Sequence, residues 1–133
     1  MKGLQHTRLT GLFRAGLVAS ILLISYLSFS QIEDSPFALL TFLNDKLQHA
    51  VAFFVLAFLL DFAWPRQPWQ RTKWLTLLGY GLFIEVVQFF IPYREFSLWD
   101  LAADGLGLLL YGYSLPLIKR TPGLAPRWNS VTN

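Results

Sequence analysis

Residues 44–64 read NDKLQHAVAFFVLAFLLDFAW, a polar start with Asp45, Lys46 and His49 followed by an apolar run that only Asp61 interrupts. A helix needs about 20 mainly apolar residues to cross a hydrocarbon layer ~30 Å thick, and this stretch has that length. Backbone groups in lipid must be hydrogen-bonded internally, and the apolar runs of this chain lack the alternation of barrel strands. The sequence therefore predicts an all-α membrane protein, a bundle of about four transmembrane helices. The other three predicted spans lie at about residues 10–30, 74–91 and 98–118.

The composition supports a membrane protein and excludes several kinds of site. Of the 133 residues, 54% are hydrophobic and 14% are charged, whereas soluble domains have roughly 25% charged residues. Cysteine is absent, which excludes disulfides, thiolate metal ligands and cysteine nucleophiles. The net charge of +3 is spread over several loops, so no nucleic-acid partner is predicted. Residues 1–120 form one predicted membrane domain, and residues 121–133 form a cytoplasmic tail that is expected to be disordered.

The distribution of charge predicts the orientation in the membrane. Cytoplasmic loops are enriched in lysine and arginine near the ends of spans. Nine of the eleven basic residues lie before or at the start of the first span, between the second and third, or after the fourth, while seven of the eight acidic residues lie toward the opposite side. Both termini are therefore predicted to be cytoplasmic, with Trp64, Trp69 and Trp74 at the inner interface.

Two segments allow alternative interpretations. Basic residues precede an apolar run that ends at residues 28–30, Ser-Phe-Ser, and this pattern also fits a cleaved signal peptide. Cleavage would leave three spans in the same orientation. Residues 36–43 either start a short interfacial helix, with Pro36 in its first turn, or extend the second span.

Ionisable residues gather near the outer ends of three predicted helices. At 1.5 Å per residue, His49, Glu85 and Asp104 should each lie roughly 8–10 Å inside the outer boundary. Charges in a membrane are costly unless they pair or line a water-filled cavity, so their presence favours a functional site. The predicted catalytic residues are His49, Glu85 and Asp104, and the predicted ligand-binding residues are Asp45, Lys46, Gln88, Arg94 and Asp100.

A structural explanation stands beside the functional one. Asp45, Lys46 and Asp100 are close enough to the interface to reach water or to cap a helix end, and Ser97 with Asp100 fits a capping pattern. For these residues the sequence favours neither explanation.

Three further residues carry structural predictions. Asp61, near the inner end of the second span, is expected to be an interfacial anion or a partner of Arg66 without a functional role. Gly81 and Gly107 continue the polar faces of their helices, and glycine there is expected to allow close helix approach.

Three blocks of sequence form a pattern across the last three predicted helices: NDKLQH at 44–49, EVVQ at 85–88, and Pro92, Arg94, Ser97, Asp100, Asp104, Gly105 and Gly107. This pattern resembles the VanZ-like family of small bacterial membrane proteins. The resemblance covers about residues 44–112, and the family pattern commonly has asparagine where this chain has Asp104. It implies a multi-pass protein of the bacterial cytoplasmic membrane that serves the cell envelope, with a link to resistance against the lipid-bearing glycopeptide teicoplanin.

Four kinds of function fit these residues. The first is binding or modulation of an anionic lipid-linked or glycopeptide-type ligand, with Lys46 and Arg94 at its headgroup. The second is an enzyme acting on a lipid-linked substrate through His49, Glu85 and Asp104, by acid–base chemistry or with a divalent metal on those residues. The others are ion movement and a structural role as a partner subunit. No other cofactor is predicted, and a homo-oligomer or a membrane partner protein would help to seal a cavity.

Overall fold

The computed structural model describes residues 2–29, 38–93 and 95–124, and within them the side chains of 7–29, 45–93 and 95–124. These residues form four helices and no strand, which confirms the predicted all-α bundle. Because the second helix begins at Ala38, residues 38–43 extend the second span. The predicted tail from residue 125 onward lies outside the described residues. The helices are α1 Lys2–Phe29, α2 Ala38–Ala63, α3 Arg71–Phe89 and α4 Leu98–Arg120.

Three of the helices are long and apolar enough to cross a membrane, over Thr7–Phe29, Asp45–Ala63 and Leu98–Arg120. The fourth predicted span is α3, whose 19 residues give a length of about 28 Å, close to the hydrocarbon thickness. It carries Lys73 and Glu85, which are buried inside the bundle. These side chains make α3 more polar without facing lipid. Inner and outer denote the predicted cytoplasmic and extracytoplasmic ends, and this orientation stays a prediction.

The central pair of the bundle is α2 and α4. Gly107 of α4 lies directly against the α2 backbone at Ala50 and Phe54, where an added Cβ would lie 3.0 Å from the Phe54 nitrogen. This confirms the predicted close approach at Gly107 and sets the distance at which side chains of the two helices meet. The buried core around this contact comprises Phe53, Leu56, Ala57, Leu108 and Tyr111, with Leu17 of α1 and Leu77 of α3.

α1 lies on the outside of the bundle and is held near both ends. At the inner end Arg14 donates from Nε to the Ala63 carbonyl at 3.1 Å and lies over the Trp64 ring. At the outer end Gln88 donates from Nε2 to the Ser28 carbonyl at 2.9 Å. Many apolar side chains of α1 stay exposed, as expected for a helix that faces lipid. The alternative of a cleaved signal peptide stays a prediction.

A buried ion pair lies at the inner end, and we call Asp61, Lys73 and Tyr111 the inner cluster. The Lys73 ammonium lies 2.7 Å from Asp61 Oδ1, and the Tyr111 hydroxyl donates to Asp61 Oδ2 at 2.5 Å. Lys73 also donates to two carbonyls of the turn that follows α2, which ties the start of α3 to that turn. The prediction of an interfacial anion or a partner for Arg66 is therefore wrong, because Asp61 is fully buried and its partners lie on α3 and α4.

Candidate functional site

Five ionisable side chains of α2 and α4 meet near the outer end of the bundle, and we call them the outer cluster: Asp45, Lys46, His49, Asp100 and Asp104. Asp45 and His49 lie one turn apart on α2, and Asp100 and Asp104 lie one turn apart on α4, so each helix presents both side chains on one face. Ser97 is the N-cap of α4 and accepts from the Asp100 N–H at 3.4 Å, as the capping pattern predicts. The close approach of α2 and α4 turns two distant motifs into one site.

Lys46 joins the two helices at the edge of this cluster. Its ammonium lies 3.0 Å from Asp45 Oδ2 and also contacts Asp100 Oδ1. Each carboxylate thus gives one oxygen to Lys46, while the other, Oδ1 of Asp45 and Oδ2 of Asp100, lies toward His49. Because Lys46 is engaged by two carboxylates, it is poorly placed for a direct contact with an anionic ligand.

A buried carboxylate fixes the orientation of His49. The Nδ1 atom lies 2.7 Å from Asp104 Oδ1. An ionised carboxylate only accepts hydrogen bonds, so an ionised Asp104 requires the proton on Nδ1. Nε2 then lies 4.0 Å from Asp45 Oδ1 and 3.7 Å from Asp100 Oδ2. Both separations are too long for hydrogen bonds. His49 therefore presents Nε2 to two carboxylate oxygens without bonding to either.

Asp104 closes the outer cluster at its deepest point, with 1% of its side chain exposed. A Cβ on Gly81 of α3 would come within 2.6 Å of Asp104 Oδ2, so glycine leaves room for the carboxylate between three helices. The atoms nearest to an added Cβ on Gly81 belong to the side chains of Asp104 and Phe53, so close helix approach at Gly81 stays a prediction. Exposure rises to 17% for His49, 21% for Lys46 and 44% for Asp45. The cluster is therefore open at the outer end of the bundle and closed at Asp104.

Glu85 flanks the outer cluster. Its Oε2 accepts from the Ser97 N–H at 2.9 Å, and its buried Oε1 has no hydrogen-bond partner within the part of the chain that the structure describes. Gly81 lies beside Asp104, and Glu85 follows one turn later in α3, about 6 Å nearer the outer end. The sequence predicts equal depth for His49, Glu85 and Asp104. The structure brings His49 and Asp104 into contact and leaves Glu85 beside the start of α4.

The remaining two predicted site residues are Gln88 and Arg94. Gln88 donates to the end of α1 through Nε2, and its buried Oε1 has no partner among the described residues. Arg94 lies outside the described residues, so its role stays a prediction. Sequence reasoning missed the backbone N–H of Ser97 as the group that holds Glu85, because a main-chain donor leaves no side-chain pattern to detect.

Comparison with known families gives the assignment. A family model described as VanZ/LLP1 matches residues 7–119, nearly the whole chain. The chain belongs to the VanZ/LLP1 family. This confirms the resemblance seen over residues 44–112 and extends it to α1, and the apolar helices show a membrane protein. No curated protein and no solved structure gives a significant match to the chain.

This VanZ/LLP1 chain also has an apolar groove on a different face of α4. The groove lies between α3 and α4 and has a volume of about 720 Å³. It extends from Ala102, two residues after Asp100, to Trp69 and Trp74 near the inner end, and its α4 lining includes Gly105 and Gly112. None of the outer-cluster residues lines it. α4 therefore contributes one face to the polar outer cluster and a different face to the apolar groove.

Proposed function

We propose that this protein lies in the bacterial cytoplasmic membrane and binds the polar headgroup of a lipid-linked cell-envelope compound at the outer cluster. The observation that carries the proposal is the convergence of the five ionisable side chains at one end of an apolar bundle. Such groups are costly to place in a membrane, so they are expected to bind or react. The charge distribution of the sequence predicts that this end lies on the extracytoplasmic side, where envelope compounds are assembled.

The groove between α3 and α4 supports a ligand that carries a lipid tail. From Ala102 to Tyr113 it follows α4 for about 16 Å, which is roughly half of the hydrocarbon thickness. Its lining is apolar, as an acyl or polyprenyl chain requires. A headgroup at the outer cluster would place its tail within reach of this groove.

The charges of the site bear on the chemistry of the headgroup. Three carboxylates, Asp45, Asp100 and Asp104, face the single ammonium of Lys46. An amino group of a ligand would pair with these carboxylates, whereas an anionic group would need Arg94 or a bridging cation. Lipid-linked envelope precursors and the glycopeptide teicoplanin are therefore the two ligands to compare.

Binding to the purified full chain in lipid nanodiscs tests the proposal. The probes are a fluorescent polyprenyl pyrophosphate and labelled teicoplanin. Arg94→Glu and Asp100→Asn are expected to weaken binding of at least one probe by about tenfold or more. The matched control is Arg66→Glu, which reverses an exposed charge at the inner end and should bind like the unaltered protein. Absence of binding by both probes, or equal loss with Arg66→Glu, would contradict the proposal.

The link to teicoplanin resistance is tested in cells. Expression of the chain in a susceptible bacterium should raise the teicoplanin concentration needed to stop growth, and Arg94→Glu should remove the effect at equal protein level. If the teicoplanin concentration needed to stop growth is unchanged, the link to resistance is contradicted. Binding of an envelope lipid would then be tested by the nanodisc measurement alone.

A second candidate is a membrane-embedded enzyme, and the contact of His49 with Asp104 favours it. A base oriented by a buried carboxylate is the arrangement found in general-base catalysis. The Ser97 hydroxyl caps α4, so the nucleophile would be a water molecule activated at His49 Nε2. In a polyprenyl pyrophosphate, that water would give a proton to His49 Nε2 and attack the terminal phosphorus. The bond from this phosphorus to the bridging oxygen would break, which would release inorganic phosphate and leave polyprenyl phosphate. Loss of phosphate release in His49→Gln with binding retained would support the enzyme, and unchanged release would exclude this mechanism.

A further inference from the structure

We infer that the outer cluster holds one divalent transition-metal ion, Zn²⁺ or Mn²⁺, bound by Asp45 Oδ1, His49 Nε2 and Asp100 Oδ2. This set of ligands differs from the one predicted from the sequence, in which His49, Glu85 and Asp104 would bind the metal ion. Among the described residues, Glu85 is held by the Ser97 N–H and Asp104 is engaged at the other nitrogen of the imidazole.

The distances between the three ligand atoms fit a shared cation. One ligand atom from each of Asp45, His49 and Asp100 lies within 4.8 Å of the other two, and Nε2 is 4.0 Å from Asp45 Oδ1 and 3.7 Å from Asp100 Oδ2. Ligands bonded at about 2.0–2.2 Å to one ion are roughly 3–4 Å apart. Small rotations of the carboxylates would close the remaining difference. Hydrogen bonds would instead require separations near 3 Å.

Asp104 prepares His49 for this role. Metal-binding imidazoles commonly donate their second ring N–H to a carboxylate, which fixes the tautomer and the ring orientation. The 2.7 Å contact between Nδ1 and Asp104 Oδ1 supplies that partner, and Gly81 leaves the space in which the carboxylate sits. The lone pair of Nε2 is thereby directed to the side where the two carboxylate oxygens lie.

Lys46 is compatible with a bound ion because it uses different oxygens. The ammonium contacts Oδ2 of Asp45 and Oδ1 of Asp100, whereas the proposed ligands are Oδ1 of Asp45 and Oδ2 of Asp100. Three carboxylates against one ammonium leave two negative charges among the described cluster residues. A divalent ion would balance these charges in a region where uncompensated charge is expensive.

The ligand types select the class of metal. An imidazole nitrogen favours zinc or another transition metal over magnesium and calcium, while two carboxylates also suit manganese. Three protein ligands leave a coordination position open, as in sites that bind water or substrate. Through that open position, the metal ion would let this acidic cluster bind a pyrophosphate. Only the binding of pyrophosphate rests on the proposed function.

Titration of the full chain in nanodiscs with Zn²⁺ or Mn²⁺ alone tests the inference. The protein is first treated with a chelator, and binding is followed by competition with a fluorescent metal indicator and by elemental analysis. One equivalent is expected to bind with at least one of the two metals. His49→Gln and Asp100→Asn should each weaken binding by about tenfold or more, and bound Mn²⁺ should show imidazole nitrogen coupling in electron paramagnetic resonance.

The matched control is Glu95→Gln, which removes an exposed acid on the same side of the bundle and should leave metal affinity unchanged. Helix content and thermal unfolding without metal identify any variant that fails to fold, and His49→Gln keeps a side chain of similar size. Failure of both metals to bind, full affinity in His49→Gln, or equal loss in Glu95→Gln would overturn the inference. Because no lipid probe is used, this outcome is separate from failure of the proposed function.

Discussion

At the scale of single residues, the polar core of this protein depends on which atoms are paired. Asp104 is an instructive case because it accepts from His49 Nδ1 at 2.7 Å while almost completely buried. Its carboxylate fixes the imidazole, and the Gly81 backbone limits the space around it. Substitutions of similar size at residue 104 can therefore separate the contribution of the hydrogen bond to stability from that of side-chain volume.

Asp104→Asn and Asp104→Leu are expected to differ in stability. The asparagine oxygen still accepts from Nδ1, so the free energy of unfolding should change by less than about 1 kcal/mol. Leucine has a similar size but leaves the Nδ1–H without its acceptor, which should cost about 1–3 kcal/mol. Thermal unfolding of the chelator-treated protein in detergent measures both. An equal loss in the two variants would mean that charge, and not the hydrogen bond, matters at this residue.

The inner ion pair gives a second prediction at this scale. Lys73→Met removes the ammonium from the buried Asp61 carboxylate and should destabilise the protein by about 3–5 kcal/mol. The double variant Lys73→Met with Asp61→Asn should recover part of this loss, because no unbalanced charge is left at the pair. Arg71→Met, at an exposed residue of the same helix turn, is the control. Additive effects in the double variant would show that the two side chains do not stabilise each other.

At the scale of helices, the contact of α2 with α4 decides the geometry of the site. Gly107 lies against the backbone at Ala50, and this contact lies one residue along α2 from His49 and three residues along α4 from Asp104. Any group that pushes the helices apart at Gly107 should therefore separate the imidazole from the carboxylate. α3 adds a second constraint through Gly81, on the other side of Asp104.

Gly107→Ala and Gly79→Ala form a matched pair of helix substitutions. Gly107→Ala would overpack the α2–α4 contact and should destabilise the protein by about 1–3 kcal/mol. It should also weaken metal binding at the outer cluster. Gly79 of α3 has no neighbour within 4 Å of an added Cβ, so Gly79→Ala should be neutral or stabilising by about 0.5–1 kcal/mol. Equal effects in thermal unfolding would show that the close approach at Gly107 does not control packing.

At the scale of the whole molecule, the bundle holds two polar clusters at opposite ends. Phe53, Leu56 and Ala57 are buried between His49 and Asp61 along α2. Among the described residues these side chains form an apolar layer, which disfavours a continuous path for protons or ions. A site open at one end suits binding or reaction better than transport.

Single cysteines provide a test of the arrangement across the membrane. The chain has no cysteine, so Gln67→Cys and Glu95→Cys, both at exposed loop positions, can be introduced without removing other thiols. If α3 crosses the membrane in the predicted orientation, an impermeant maleimide should label residue 95 in intact cells and residue 67 only after permeabilisation. Labelling of both residues from the same side would contradict a crossing by α3.

The sequence by itself determined the class of the fold and predicted which residues could form a site. Four apolar segments of about membrane length follow from composition and length, because lipid excludes unpaired backbone groups. Three of them form helices that are long and apolar enough to cross a membrane. Spacing of four residues placed Asp45 with His49 and Asp100 with Asp104 on common faces. The glycines at 81 and 107 indicated close contact, since a helix can approach most closely where no side chain intervenes.

Only the tertiary structure decided which of these residues meet. Helix periodicity gives the face of a residue but not the register of one helix against another, which depends on packing such as that of Gly107 on α2. A shift of one turn moves a side chain by about 5.4 Å, enough to take Glu85 away from the pair formed by His49 and Asp104. The same register places Asp61 against Lys73 and Tyr111. These distances are set by contacts between segments far apart in the chain, which no local pattern records.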